Sequence, residues 1–260
     1  MFLEGRVAIV TAGGGPGIGS AISRALAKEG ATVVIAELDP TRASKVADEI
    51  KRAGGKALAV PTDVSKKSAV TAMVERAVRE FGKVSILVNH AGLVPGGPIE
   101  QLGEETWDRT LAVHLKGNYL CSQAVVPHMK KERWGRIVNT SSRVAYKPTI
   151  LGVSDYAAAK AGIVGFSRAL AMEVGAWGIT VNNIAPGLVS GSGMHAVAGR
   201  PARSPEETQK GIEAEHQILQ PFREVTPEEI AGTVLYLVGP YAARVTGCTL
   251  HVNSGSYMPA

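Results

Sequence analysis

Cysteine is scarce and long apolar runs are missing from this 260-residue chain. Two cysteines, Cys121 and Cys248, are too few for a disulfide framework, so we expect reduced and mostly buried thiols. No Cys/His cluster has the spacing of metal ligands, and we expect no metal site. No apolar stretch approaches the roughly 18 residues of a membrane span, and the opening residues do not resemble a signal peptide. These absences predict a soluble, cytoplasmic protein without a membrane segment.

Charge of one sign is not concentrated anywhere along the chain. The 28 basic and 23 acidic residues give a net charge of +5, and the basic residues are scattered. No basic stripe with interleaved aromatic residues is present, which argues against a nucleic-acid partner and favours a small-molecule substrate. Apolar residues make up 45% of the chain and charged residues 20%, which excludes a disordered or fibrous protein.

Short apolar strands alternate with amphipathic helices along the chain. Continuous apolar strands in this alternation indicate a parallel sheet covered by helices on both faces. We predict one α/β domain over residues 1–260, with a doubly wound, Rossmann-type sheet of about seven strands. A segment at about 190–223, rich in Gly, Pro, Ser and charge, interrupts the alternation, and its length predicts a lid over the substrate. Strands are expected at 7–11, 32–36, 57–61, 85–88, 136–140, 180–184 and 249–252, and helices at 20–29, 40–53, 68–81, 104–132, 156–175 and 227–238.

A glycine-rich turn follows the first predicted strand and precedes the first predicted helix. Backbone amides in such a turn approach a pyrophosphate closely, and the helix N-terminus stabilises its negative charge. The turn lies within the first βαβ unit, as a dinucleotide-binding fingerprint requires. The cofactor-binding residues expected here are Gly13, Gly15, Gly17, Ile18 and Gly19.

The second predicted strand ends beside two acidic residues, Glu37 and Asp39. Glu37 lies 18 residues after Gly19, close to the spacing of roughly 20 expected for a carboxylate that binds the adenosine ribose hydroxyls. A carboxylate there repels a 2′-phosphate, and neither Pro16 nor Leu38 offers a basic side chain to bind one. NAD is therefore the predicted cofactor, with Asp39 as the rival carboxylate.

A tyrosine and a lysine supply candidate acid–base chemistry. Tyr156 and Lys160 are four residues apart on a predicted helix, so their side chains share one face. An ammonium beside a tyrosine lowers the phenol's pKa below its usual value of roughly 10, which makes it usable as a general base for an alcohol. Ser142 closes the fifth strand at the carboxyl edge of the sheet, where ligands bind, and Ser141 is its rival.

Together these motifs resemble the short-chain dehydrogenase/reductase family, in its single-domain branch, over essentially the whole chain. The resemblance depends on several motifs in the family's order. They are the glycine turn, Asp63-Val64, Asn89-His90-Ala91-Gly92, Ser142, Tyr156 with Lys160, Pro186-Gly187, and Pro227-Glu228-Glu229-Ile230-Ala231.

The resemblance implies a role for each matched residue. Tyr156 would be the general acid/base, Lys160 would hold the nicotinamide ribose, and Ser142 would hydrogen-bond the substrate oxygen. The resemblance further implies a homotetramer. It implies cofactor contacts for Asp63, Val64, Asn89, Ala91, Gly92, Pro186, Gly187 and Val189.

Three of the chain's departures from the family's pattern concern the expected site. Ala12 stands at the first motif's threonine, and Thr11 is available to compensate from one residue earlier. His90 stands at the second position of the Asn-Asn-Ala-Gly motif. His114 stands where the family has the asparagine that holds a water in the proton relay. Either His114 replaces this catalytic asparagine and titrates near neutral pH, or it is a satisfied helix histidine.

The leading expectation is an NAD-dependent dehydrogenase that interconverts a secondary alcohol and a ketone. One alternative is an NADPH-dependent carbonyl or 3-oxoacyl reductase, against which Glu37 argues. An alternative of another class is a catalytically silent NAD-binding sensor or scaffold. The composition of the predicted lid is compatible with a polyol, a hydroxy acid, a cyclic alcohol or an acyl thioester as substrate.

Overall fold

The computed structural model describes residues 1–94, 96–148, 151–190 and 225–259. Its strands are β1 (Val7–Thr11), β2 (Thr32–Glu37), β3 (Lys56–Pro61), β4 (Ile86–Asn89), β5 (Gly135–Thr140), β6 (Ile179–Pro186) and β7 (Thr249–Val252). All seven pair in parallel in one sheet, in the order β3-β2-β1-β4-β5-β6-β7. The predicted doubly wound sheet is confirmed, and its strand order reverses between β1 and β4.

Helices cover both faces of this sheet. They are α1 (Ile18–Lys28), α2 (Pro40–Arg52), α3 (Lys67–Phe81), α4 (Glu104–Leu111), α5 (Gly117–Glu132), α6 (Ser154–Val174) and α7 (Pro227–Val238). One apolar core lies between the sheet and α1, α2 and α7, and a second lies between the sheet and α3, α5 and α6. Successive strand side chains point to opposite faces, so Ala8 and Val10 join the first core while Val7 and Ile9 join the second.

The long helix expected at 104–132 is continuous, but it is not α-helical throughout. A π-helical turn, Ala112–Lys116, separates α4 from α5. Asn118, on the first turn of α5, donates a hydrogen bond from Nδ2 to the backbone oxygen of His114 at 2.6 Å. Such turns occur often at functional sites. The π-helical turn contains His114, whose side chain is buried.

Cys121 is buried, but Cys248 is exposed directly before β7, so the expectation of buried thiols is wrong for Cys248. The predicted lid at about 190–223 lies outside the described residues, apart from Ser190.

Within the described ranges, no helix is long and apolar enough to cross a membrane. Over the same ranges, no group of three His, Cys, Asp or Glu side chains could hold a metal ion.

Candidate active site

The candidate active site lies at the carboxyl ends of β1 and β4, where the strand order reverses. Open parallel sheets bind ligands at this point because the connections leave it in opposite directions. Thr11 Oγ1, which ends β1, accepts hydrogen bonds from the backbone amides of His90 at 2.9 Å and Ala91 at 3.0 Å. A cleft of about 470 Å³ opens at this junction. The predicted residues that line it are Gly15, Ile18, Gly19, Glu37, Gly92, His114, Ser142, Tyr156, Lys160, Pro186, Gly187 and Val189.

The glycine turn is shaped by the backbone oxygen of Ala12. This oxygen accepts a hydrogen bond from the Gly15 amide at 3.1 Å, and a Cβ at Gly19 would overlap it. Gly17 has a φ of 83° and precedes α1, whose first turn is not capped by a side chain of the described residues. The first amides of α1 are therefore free to bind an anion, and the turn fits a dinucleotide's pyrophosphate.

Glu37 ends β2 beside this turn, and only 7% of its surface is exposed. Its Oε1 accepts a hydrogen bond from the Leu38 amide at 3.0 Å. Its Oε2 is buried and has no partner among the described residues, and a Cβ at Gly15 would lie 3.6 Å from it. A buried acceptor without a donor is costly, and a ligand hydroxyl would satisfy it. The carboxylate therefore fits the ribose of a bound dinucleotide.

The rival carboxylate, Asp39, is engaged elsewhere. Its Oδ1 caps α2 by accepting from the Thr41 amide at 2.8 Å, and its Oδ2 lies 3.3 Å from Arg42 Nε. Arg42 lines the same cleft as Glu37. Arg42 could not be predicted from its position in the sequence, because it adjoins neither the glycine turn nor the end of β2. The first turn of α2 brings this guanidinium back to the cleft.

Three predicted catalytic side chains meet between β5 and α6, on the opposite side of the β1–β4 junction from Glu37. They are Ser142, Tyr156 and Lys160. Ser142 and Tyr156 are joined by a side-chain hydrogen bond. Lys160 Nζ donates to the backbone oxygen of Thr140 at 2.6 Å and lies 5.4 Å from the centre of the Tyr156 ring. The rival serine, Ser141, uses its hydroxyl to hold the backbone oxygen of Lys160 at 3.0 Å. The geometry therefore favours Ser142 as the serine that faces a substrate.

Burial controls the charge of this group. It raises the pKa of Tyr156 to about 12, and the hydrogen bond with Ser142 offsets only part of that rise. Burial also lowers the pKa of Lys160 to about 7, because a buried ammonium loses its hydration. The expectation that Lys160 depresses the pKa of Tyr156 is therefore wrong for the protein by itself, where loss of hydration outweighs any attraction between the two groups.

His114 contacts the loop after β4 and the ring of Tyr156. Its Nε2 lies 2.6 Å from the backbone oxygen of Leu93 and 3.1 Å from the amide of the same residue. The imidazole meets the Tyr156 ring edge-on, with the ring centres 5.2 Å apart. Burial and the nearby Lys160 lower the pKa of His114 to about 3. The expectation that His114 titrates near neutral pH is wrong, while its part in a proton relay remains a prediction.

Several predicted cofactor residues do not line the cleft and instead shape its surroundings. Asp63 Oδ1 accepts hydrogen bonds from the amide and hydroxyl of Ser65. Asn89 Nδ2 donates to Asn139 Oδ1 at 2.8 Å, and Gly13 accepts from Ser23 Oγ at 2.9 Å. The remaining members of this set are Gly17, Val64 and Ala91. Cofactor contacts by these residues remain predictions.

Comparison with known proteins identifies the family. The short chain dehydrogenase family matches residues 6–201 of this chain. A structure of a short-chain dehydrogenase/reductase from Serratia marcescens superimposes with a TM-score of 0.86 at 36% identity, covering 98% of this chain and 99% of that one. The chain belongs to the short-chain dehydrogenase/reductase family and is an oxidoreductase that binds a nicotinamide dinucleotide.

Curated relatives are similar over nearly their full lengths. One is the (2S)-[(R)-hydroxy(phenyl)methyl]succinyl-CoA dehydrogenase subunit BbsD of Thauera aromatica, 38% identical over 98% of both chains. The short-chain reductase protein NovJ of Streptomyces niveus is 40% identical over 96% of this chain and 93% of its own. The 3-oxoacyl-[acyl-carrier-protein] reductase FabG of Vibrio cholerae is 37% identical over 99% of this chain and 100% of its own. The names include both dehydrogenases and reductases.

The buried histidine should make the protein sensitive to acid. In the unfolded chain His114 takes up a proton below about pH 6.5, whereas in the folded protein it stays neutral down to about pH 3. As the pH falls across that window, the unfolded state is therefore stabilised relative to the folded state by about 1.4 kcal/mol per pH unit. His114→Asn should remove about 2 kcal/mol of the loss in unfolding free energy between about pH 7.5 and about pH 5. Urea denaturation at both pH values measures this difference, and equal losses in the two proteins would show that His114 titrates normally.

Proposed function

We propose that this oxidoreductase transfers a hydride between NAD(H) and the carbinol carbon of a secondary alcohol, with Tyr156 as general acid/base. The choice of NAD is supported by Glu37 Oε2, which lies beside the glycine turn and has no hydrogen-bond partner in the described part of the chain. This oxygen suits a ribose hydroxyl and repels a 2′-phosphate. The chemistry is supported by Ser142, Tyr156 and Lys160, which line the same cleft.

In the oxidative direction, the substrate hydroxyl passes its proton to Tyr156 Oη while Ser142 Oγ holds the same oxygen. When bound, NAD would supply the hydride acceptor. Lys160 would bind the nicotinamide ribose and, when protonated, would stabilise the tyrosinate. In the reductive direction, Tyr156 returns the proton to the carbonyl oxygen.

An NADPH-dependent carbonyl or 3-oxoacyl reductase is the second candidate. Arg42 favours it, because a guanidinium in the cleft would bind a 2′-phosphate. Its ion pair with Asp39 at 3.3 Å would compete with that phosphate. Two of the relatives are named for acyl thioesters of coenzyme A or of acyl-carrier protein. A 3-hydroxyacyl thioester is therefore the first substrate to test.

Cofactor preference should follow Glu37. The wild type should use NAD over NADP by at least tenfold in kcat/KM, equivalent to about 1.4 kcal/mol. Glu37→Ala should abolish the preference, since it removes the carboxylate that repels the 2′-phosphate and leaves Arg42 in the cleft to bind it. Adding Arg42→Ala should remove the gained use of NADP. Initial rates with each cofactor measure this, and equal efficiencies in the wild type would contradict the assignment to NAD.

Tyr156→Phe removes only the hydroxyl that exchanges the proton. Turnover should fall by about 10² or more, while the Kd of NADH, measured by fluorescence, should change little. Tyr236→Phe is the matched control, because it makes the same change on the half-exposed surface of α7. The control should keep its turnover. Retained turnover in Tyr156→Phe would mean that another group is the base.

We also propose that the chain assembles as a homotetramer through α5 and α6. The support is exposed apolar surface, since Tyr119 on α5 and Met172 on α6 are 44% and 85% exposed. Such surface favours self-association, and closed symmetry limits the assembly. Light scattering should give about four times the mass of one chain at micromolar concentrations. The mass of a single chain would refute this.

A further inference from the structure

Ser142, the serine proposed to hold the substrate oxygen, begins a short turn that ends at Tyr146. Its Oγ accepts a hydrogen bond from the Val144 amide at 3.2 Å, and its backbone oxygen accepts from the Ala145 amide at 3.1 Å. The turn is a single 3₁₀ turn, Arg143–Ala145, and Tyr146 is the residue that caps its carboxyl end. A turn this short makes few internal hydrogen bonds, so its position depends on the contacts at its two ends.

The hydroxyl of Tyr146 reaches the last strand of the sheet. Tyr146 Oη donates a hydrogen bond to Thr249 Oγ1, on β7, at 3.0 Å. The same oxygen accepts from Asn183 Nδ2, on β6, at 3.3 Å. Asn183 Oδ1 in turn accepts from Ser167 Oγ, on α6, at 2.7 Å. A chain of hydrogen bonds therefore connects the turn that ends at Tyr146 with the helix that carries the proposed general acid/base.

β7 and the residues that follow it pack on the ring of Tyr146. The Tyr257 ring stacks on it, with ring centres 5.3 Å apart and planes 20° from parallel, and the His251 ring meets it edge-on at 4.8 Å. Aromatic pairs in these arrangements are favourable. Asn253 Nδ2 donates to the backbone oxygen of Tyr257 at 3.0 Å, which closes a turn. A Cβ at Gly187, which lines the cleft, would lie 2.8 Å from the Asn253 Cβ, so this turn packs directly behind the cleft.

We propose that Tyr146 is a positioning residue for the reaction. Its hydroxyl, held by Thr249, and its ring, held by Tyr257, keep Ser142 at the place where it and Tyr156 can bind the same substrate oxygen. Among the described residues, those that line the cleft do not include Tyr146 or Tyr257, so both act through the turn. The inference rests on the proposed roles of Ser142 and Tyr156 but not on the choice between NAD and NADP.

Hydrogen exchange tests the contact without turnover. The two amides that donate to Ser142 are protected only while the turn is in place. Tyr146→Phe removes the hydroxyl and keeps the ring, so it should speed the exchange of residues 143–147 several-fold and leave the exchange of β1 unchanged. Thr249→Val should have the same effect. Thr249→Ser keeps the accepting oxygen and should exchange like the wild type. Mass spectrometry of peptides measures each rate.

Kinetics separate positioning from a general loss of structure. With 3-hydroxybutyryl-CoA and NAD, Tyr146→Phe should lower kcat by about tenfold, because a misplaced Ser142 stabilises the transition state less. The Kd of NADH should stay within about twofold. Tyr257→Ala should lower kcat similarly, and Tyr257→Phe, which keeps the stacked ring, should recover most of it. Thr246→Val is the matched control and should keep its kcat, because it removes a hydroxyl that bonds the Val181 amide at 3.0 Å, toward the amino end of β6.

The two measurements also separate this inference from the proposed function. Unchanged exchange of residues 143–147 in Tyr146→Phe would overturn the inference. Equal losses of kcat and of NADH affinity would also overturn it, because they would show that the variant disturbs the whole cleft. A wild type that oxidises no secondary alcohol would refute the proposed function instead. The exchange rates would then still decide whether Tyr146 holds the turn that begins at Ser142.

Discussion

The candidate site depends on the junction of β1 and β4, where one buried hydroxyl joins the two halves of the sheet. Thr11 Oγ1 accepts hydrogen bonds from the backbone amides of His90 and Ala91, the two residues that follow β4. The chain after β4 is therefore held at the end of β1. Beneath this junction, Asn89 donates to Asn139, and Asn139 donates to Ser167 on α6, each at 2.8 Å. These buried hydrogen bonds fix α6, which carries Tyr156 and Lys160, relative to the β1–β4 junction.

Desolvation is the second constraint on this cleft. It lowers the pKa of His90, His114 and Lys160 and raises that of Tyr156, so burial favours the neutral form of each. A tyrosinate base therefore needs a positive charge beside it, from protonated Lys160 or from an oxidised nicotinamide ring. The proposed role of Tyr156 therefore depends on the protonation of Lys160 or on the charge of the bound cofactor, in addition to the position and hydrogen bonds that the protein supplies. This division agrees with the general role of proteins that use redox cofactors.

Much of this arrangement could be predicted from the sequence. Apolar strands in alternation with helices predicted the parallel sheet, and the glycine turn, Glu37, Ser142, Tyr156 and Lys160 were all expected at its carboxyl edge. What could not be predicted depends on packing. The π-helical turn at His114 is a single turn of five residues, too short to change the hydrophobic pattern of the long helix. Arg42 reaches the cleft only through the fold of α2. The rise in the pKa of Tyr156 could not be predicted either, because it depends on burial. The sequence spacing shows a neighbouring charge but not the loss of water around the phenol.

A structure of the protein crystallised with NAD tests the central claim most directly. The account predicts the adenosine ribose hydroxyls on the Glu37 carboxylate and the pyrophosphate at the N-terminus of α1. It also predicts the nicotinamide beside Tyr156. A dinucleotide bound away from the β1–β4 junction, or one whose adenosine ribose makes no contact with Glu37, would contradict it.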